Sequence, residues 1–281
     1  MILVTGATGR VGRHAVSGLL AAGAELRALS RDPAAAGLPE KVEVVHGDLA
    51  KPETLDAALD GVEAVFLVWP TLSADHAAPA AVEAIAARAR RLVYLSARGA
   101  AGAREADGTI LGSHARLENL IERSGMEWTF LRAGGFAANT LMWAPQIRDT
   151  GTVRWVHGAA RRSLIHERDI AAVGVRALTG SGHGGARYEL TGPRALTQIE
   201  QAHLIGEAIG RPVRWEEMDA EVARRAMIDQ GMPPSLAGAI VDAHAAMVAA
   251  PEPVTTTVEE ITGAPATDFR QWAADHAADF R

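Results

Sequence analysis

In the first half of the chain, short apolar runs alternate with alanine-rich stretches whose apolar positions recur every three or four residues. The runs at 2–5, 25–29, 42–46, 64–69, 91–96 and 128–132 predict strands, and the stretches at 11–22, 52–59, 78–89 and 113–124 predict helices. Strands that are apolar almost throughout, each followed by a helix, predict an α/β fold: a doubly wound parallel sheet covered on both faces. Gly23 and Gly125 follow two of the helices where a left-handed C-cap belongs. The run Val65-Phe66-Leu67-Val68-Trp69 stops at Pro70, far short of the ~20 residues that span a bilayer, and reads as a buried strand.

After about Asn139 the rhythm changes. Strand-like pieces at 153–156, 187–190 and 213–216 mix with helical patterns at 170–178, 197–209, 220–230 and 236–248, and a glycine-rich surface loop covers 180–185. The expected division is a sheet domain over 1–138 and a smaller α+β cap over 139–281, some segments of which can return to the sheet. Such a cap belongs at the carboxyl edge of the strands, where open α/β folds place their ligands.

Composition narrows the chemistry. The 281 residues are 48% hydrophobic and 22% charged, ordinary for a globular protein. Zero cysteines exclude disulfides, thiol nucleophiles and thiolate-held metals, and suit a reducing cytosol. A formal net charge of −6 argues against nucleic acid and anionic membranes as partners. Met1 leads straight into a strand, without the basic start and longer apolar stretch of a secretory signal, so the cytoplasm is the expected location. The only lysines are Lys41 and Lys51, and the only tyrosines are Tyr94 and Tyr188. The histidines are scattered without metal-ligand spacing, so no metal is expected. No Gly-x-Ser-x-Gly elbow is present.

The clearest motif is Gly6-Ala7-Thr8-Gly9-Arg10-Val11-Gly12, between the first strand and the first helix. Glycines permit the tight turn and close approach of a pyrophosphate, and the helix amino terminus offers free N–H groups to that anion. Gly6, Thr8, Gly9, Arg10, Val11 and Gly12 are the expected contacts. The second strand ends Leu29-Ser30-Arg31-Asp32, with no acid directly at its end to hold a ribose 2′-hydroxyl. Arg31 is placed to pair with a 2′-phosphate, so NADP(H) is expected over NAD(H), with Asp32 turned away. Arg10 and Arg13 are either helpers in this or solvated helix residues. Gly47-Asp48-Leu49 borders the expected adenine position; Asp48 either accepts the adenine amino hydrogens or caps a turn.

Together these residues resemble the NmrA-like group of atypical short-chain dehydrogenases/reductases. The resemblance covers nearly the whole chain. It takes in the Gly6–Gly12 turn, Ser30-Arg31-Asp32-Pro33, Gly47-Asp48-Leu49, His114-Ala-Arg-Leu-Glu118 before Ser124-Gly125, and Trp128-Thr-Phe-Leu-Arg132 with Phe136 and Asn139. It continues through Arg168-Asp169-Ile170-Ala171, Tyr188-Glu-Leu-Thr-Gly192 and Glu260-Ile-Thr-Gly263 with Phe269. It implies a Rossmann domain that binds NADP(H), a small substrate cap, and membership of a group that includes quinone reductases, other small-molecule reductases and redox-sensing regulators.

Mainstream short-chain dehydrogenases carry a Tyr-x-x-x-Lys pair on the helix after the fifth strand. Aligned on Glu118, the tyrosine position here is Ile110 and the lysine position is His114, as in some NmrA-like quinone reductases. Four residues after Tyr94 is Arg98, and four after Tyr188 is Gly192, so no other pair exists. The expectation is a reductase that passes hydride directly to a small aromatic, quinone-like or activated unsaturated substrate. The alternatives are a dinucleotide-sensing regulator or an enzyme using the bound cofactor non-reductively. His114 and Ser96 are the candidate catalytic residues, and Ser96 also borders the cofactor. Trp69, Phe136, Asn139, Met142 and Trp143 are the candidate substrate pocket, while Trp128, Trp215 and Trp272 are expected in the core. Asp169 reads as a helix N-cap and Glu216-Glu217 as a solvated face. The oligomeric state is expected to be monomer or homodimer.

Overall fold

Apolar residues on both sides of a strand have one stable destination, a sheet packed on two faces, and the strands of the first half reach it. A computed structural model describes residues 1–69, 76–103 and 109–281. The expected strand stop at Pro70 lies outside the described residues. In chain order the elements begin β1 (Ile2–Val4), α1 (Arg10–Ala21), β2 (Leu26–Ser30), β3 (Glu43–His46), α2 (Asp56–Leu59), β4 (Ala64–Leu67), α3 (Ala78–Ala86), β5 (Arg91–Ala97), α4 (Ile110–Glu122) and β6 (Glu127–Ala133). There follow α5 (Ala144–Thr150), β7 (Thr152–Trp155), β8 (Arg161–Arg162), α6 (Glu167–Thr179), β9 (Ala186–Leu190), β10 (Leu196–Thr197), α7 (Gln198–Ile209) and β11 (Arg214–Glu217). The last are α8 (Ala220–Asp229), α9 (Pro234–Ala249), α10 (Thr257–Thr262) and α11 (Phe269–Asp275).

The chain forms two units. The first comprises Met1–Ala133, Glu167–Leu190 and Thr257–Ala264, and the second comprises Gly134–His166, Thr191–Thr256 and Pro265–Arg281. The boundary expected after residue 138 falls after Ala133, and the chain returns to the first unit twice. The strand expected at 187–190 in the cap is β9 of the main sheet, because it pairs in parallel with β6 from Thr129↔Ala186 to Ala133↔Leu190. The helix expected nearby is α6, which packs on α1 and on β4, β5 and β6. Its Asp169 lies within the first turn rather than at the cap.

The first unit is a seven-stranded sheet of order β3-β2-β1-β4-β5-β6-β9, with every pairing parallel. The strand order turns back between β1 and β4, and ligands of this architecture sit at that switch point. One face carries Leu3, Leu67, Leu92, Tyr94 and Phe130 against Val82 and Ile85 of α3 and Leu117 and Ile121 of α4. Helix α1 buries Val11, Ala15, Val16 and Leu19, one face at helical spacing. Helix α4 starts earlier than its apolar pattern predicts, because Thr109 accepts the Gly112 N–H at 3.0 Å and caps it. The loop at 180–185 is tied at both ends: Arg91 donates to the Gly180 carbonyl at 2.7 Å, and the Gly185 N–H to the Trp128 carbonyl at 2.8 Å.

The second unit has two small ribbons, β7 parallel to β11 and β8 antiparallel to β10. Its core gathers Trp143, Ile147, Trp155, Ile205, Trp272 and Phe280. Trp272 is fully buried, with Phe269 and His276 stacked at 5.1 and 4.5 Å. Trp128 and Trp215, also expected inside, are half-buried. Glu217, expected on a solvated face, accepts the Gly158 N–H at 2.9 Å and the Trp215 indole N–H at 2.8 Å. Among the described residues no helix is long and apolar enough to cross a membrane.

The turn from β1 into α1 depends on Gly12. A Cβ there would stand 2.0 Å from the Gly6 carbonyl oxygen, backbone against backbone, with no side chain able to yield. Gly12→Ala is therefore expected to lower the stability of the protein by about 1–3 kcal/mol, read as a fall of roughly 2–10 °C in Tm without cofactor.

Candidate functional site

The switch point is built first from backbone. Thr5, fully buried at the end of β1, donates its hydroxyl to the Val68 carbonyl at 3.0 Å and accepts the Val68 N–H at 2.8 Å, locking the ends of β1 and β4 together. Gly6 then turns with φ +59°, a left-handed value open to glycine and costly for most other residues. Its carbonyl accepts the Gly9 N–H at 2.9 Å, and Gly9, the N-cap of α1, has no side chain to cap the N–H groups of the first turn. Those groups are left to an anion.

A cavity of about 440 Å³ opens at this point, lined by the glycine turn (Gly6, Thr8, Gly9), the end of β2 with its loop (Leu29 to Asp32, Ala35, Ala36) and Gly47, Asp48 and Leu49. One residue joins two of these walls. Arg13 donates Nε to the Thr8 carbonyl at 3.0 Å, Nη2 to Ala36 at 3.1 Å and Nη1 to Gly37 at 2.9 Å. Weighed from sequence as an anion partner or a solvated residue, it is a clamp between the turn and the β2 loop.

Arg31 is exposed, lines the cavity and has no ion-pair partner among the described residues. The Asp32 carboxylate accepts the Ala35 N–H at 3.2 Å, so it holds its own turn although the residue still lines the cavity. Asp48 also does both jobs open to it: its carboxylate accepts the Ala50 N–H at 2.9 Å and the residue borders the cavity. Leu49 is buried beside it. Arg10, Val11 and Gly12 do not line the cavity with side chains. Val11 enters the core, Arg10 is exposed, and Gly12 packs on the Gly6 backbone, so what they offer is the uncapped first turn of α1. Open N–H groups, a glycine-floored wall and an unpaired guanidinium at the end of β2 fit the adenosine and pyrophosphate half of a dinucleotide.

Further along the strand ends lies a buried polar cluster. Arg132 of β6 grips Glu118 of α4 with both arms, Nε to Oε1 at 3.0 Å and Nη2 to Oε2 at 2.6 Å. Ser96 of β5 donates to Glu118 Oε1 at 2.6 Å. All three residues are buried, and the Glu118 hydrogen bond holds the Arg132 guanidinium above its ordinary pKa. The Ser96 hydrogen is committed here, which corrects its expected role: it has no proton to offer a substrate carbonyl.

One turn before Glu118 on the same helix, His114 Nδ1 lies 2.6 Å from the hydroxyl of Tyr94 on β5. Burial lowers the His114 pKa, partly opposed by the Glu118 charge. Burial raises the Tyr94 pKa well above its ordinary value, and Glu118 pushes the same way. Both groups are therefore held neutral. Sequence reasoning examined Tyr94 for a partner four residues on; its partner is twenty residues on, reached across the strand-to-helix packing.

The aromatic candidates scatter. Trp69 belongs to the first unit and packs half-buried against its core. Phe136, Asn139, Met142 and Trp143 belong to the second. Phe136 is half-buried and bridges to Ile165, while Asn139 and Met142 are exposed. Trp143 is 2% exposed and edge-on to Trp215 at 5.7 Å, so it is a core residue rather than a pocket wall.

Residues 6–180 match a family model described as NAD(P)H-binding. The chain is 43% identical, over 100% of its length and 99% of the relative's, to a (4-alkanoyl-5-oxo-2,5-dihydrofuran-3-yl)methyl phosphate reductase of Streptomyces griseus. It is 39% identical, over 100% and 99%, to an NAD(P)H azoreductase of Xenophilus azovorans. Among solved structures, an NADPH-dependent quinone oxidoreductase of Escherichia coli superposes with a TM-score of 0.80 at 25% identity, covering 98% of this chain and 99% of its own.

Folding selects the neutral form of His114, because its pKa falls below the unfolded value on burial. The contribution is complete above the unfolded pKa, about 6.5, and is lost as pH falls toward the folded one. His114→Gln is expected to remove this dependence. In urea denaturation, the stability of wild type relative to the variant should be constant above about pH 7.5 and decline below about pH 6.5.

Proposed function

Because the chain belongs to the NmrA-like, NAD(P)H-binding family of atypical short-chain dehydrogenases/reductases, we propose that it is an NADPH-dependent reductase acting directly on a small, conjugated acceptor of the quinone, azo or activated-alkene class. The observation that carries this reading is the chemistry of the position where mainstream relatives hold a lysine beside a tyrosine. Here it is His114, neutral and hydrogen-bonded to Tyr94. Reducing an isolated ketone calls for a strong proton donor at the oxygen. A conjugated acceptor spreads the incoming charge, so a neutral hydrogen-bond donor and correct placement suffice, and water completes the protonation.

When bound, NADPH supplies the hydride equivalent. The chain's own residues do the rest. The uncapped first turn of α1 binds the pyrophosphate, and Arg13 keeps the turn and the β2 loop at the spacing that receives the adenosine. Arg31 selects the 2′-phosphate, which its planar fork can hold with two hydrogen bonds. His114 donates a hydrogen bond to the acceptor. Two relatives whose names specify a dihydrofuranone phosphate and azo compounds support an acceptor of this electronic type.

Purified protein should oxidise NADPH, followed by loss of nicotinamide absorbance, with at least one of a panel of quinones, azo dyes and enones, and not with simple secondary ketones. Tight NADPH binding with no turnover across the panel would overturn the reading in favour of a dinucleotide sensor. Arg31→Ala should weaken NADPH binding roughly 10–100-fold and leave NADH binding nearly unchanged, as measured by fluorescence titration.

A further inference from the structure

We propose that Tyr94 is a positioning residue: its hydroxyl, donating to His114 Nδ1, fixes the imidazole as the Nε2–H tautomer and so makes it a hydrogen-bond donor at the one ring nitrogen left to it. This rests on the role given to His114 above and adds a residue to it.

The contact runs between Tyr94 of β5 and His114 of α4, 2.6 Å from hydroxyl oxygen to Nδ1, with ring centroids 5.8 Å apart. Tyr94 is fully buried. Its ring stands edge-on to Phe130 at 6.1 Å and lies in the cluster formed with Leu67, Leu117 and Ile121. The phenol therefore has no freedom to seek another partner, and His114 is its one hydrogen-bond partner among the described residues.

Two arrangements of the shared hydrogen are possible, and burial decides between them. If Nδ1–H donated to the phenol oxygen, the phenol hydrogen would point into apolar surroundings with no acceptor, a cost of about 1–3 kcal/mol. If the phenol donates, its hydrogen has an acceptor in Nδ1 and Nε2 carries the ring proton. The Glu118 carboxylate acts on the pair through its charge but does not compete for either group's hydrogen. Glu118, one turn further along α4, spends its carboxylate on Arg132 and Ser96.

A histidine free to choose its tautomer presents a lone pair part of the time, which repels the negative charge developing on a reduced acceptor. A partner on the other nitrogen removes that choice, the general device by which second groups fix imidazoles in active sites. The result is a preset electrostatic donor that needs no reorganisation during the reaction.

The test uses the full-length protein. Long-range proton–nitrogen correlation NMR, without substrate, should show His114 protonated at Nε2 alone in wild type and mixed between both nitrogens in Tyr94→Phe. With a turned-over acceptor, Tyr94→Phe should lose about tenfold or more in kcat, with KM and the NADPH Kd within about twofold, a margin that a tenfold effect clearly exceeds. His114→Gln, whose amide can accept from Tyr94 and still donate, should keep more kcat than His114→Ala. Circular dichroism and Tm establish that each variant is folded. An Nδ1–H signal in wild type overturns the proposal, as does wild-type kcat in Tyr94→Phe while His114→Ala is impaired. Wild-type kcat in His114→Ala overturns instead the role of His114 on which the proposal stands, and the NMR result then decides the tautomer alone.

Discussion

The grip of Arg132 on Glu118 is the contact from which the polar cluster at the strand ends is laid out. A two-armed ion pair sunk below the surface costs much desolvation, which is recovered when geometry is good and the remaining lone pairs are used. Here they are: Ser96 takes the oxygen that Arg132 shares. Three successive elements of the sheet unit, β5, α4 and β6, are thereby tied at one level. Loss of either charge would leave the other buried alone, so the pair acts as a registration device for α4, and His114, one turn upstream, is set opposite Tyr94 as a consequence.

The cofactor side is organised differently. Its determinants are backbone: the left-handed Gly6, the uncapped start of α1, the Thr5 lock between strand ends, and the Arg13 bonds to three carbonyls. Among its side chains, Arg31 lines the cavity as an exposed cation. Such a site tolerates wide change in composition around it, because what it needs is a turn geometry and a few glycines. The buried cluster around Glu118 and the Tyr94–His114 pair instead depend on particular functional groups at particular distances.

That contrast explains what could be read from the chain alone. The glycine turn and the strands of the first half are local features, written in spacings of a few residues, and they were legible. That some segment after residue 138 can return to the sheet was legible, but not that it would be β9, because its alternating exposed positions give it the look of a surface strand and no local pattern says which partner it will find. Arg13 was ambiguous because a cation beside a phosphate turn has the same appearance whether it binds anion or carbonyls. Trp143 looked like pocket wall because it follows the sixth strand, in the stretch where this architecture places its substrate loops; its burial is set by packing against residues of α7 and β11, far along the chain. The Tyr94–His114 contact crosses twenty residues and two kinds of secondary structure, and the motif that singles out His114 says nothing of a tyrosine twenty residues before it.

The path of the chain has a consequence for its synthesis. The sheet unit is left at Ala133, rejoined at Glu167, left at Leu190 and rejoined again at Thr257. An emerging polypeptide therefore exposes the outer edge of β6 until β9 has cleared the ribosome, and α6 and β9 lack α10, which packs on both, until nearly the last residues are made. Neither unit exists as a contiguous stretch that could be excised, exchanged or expressed by itself. A change to either unit must therefore be made in place, residue by residue, rather than by swapping a contiguous module.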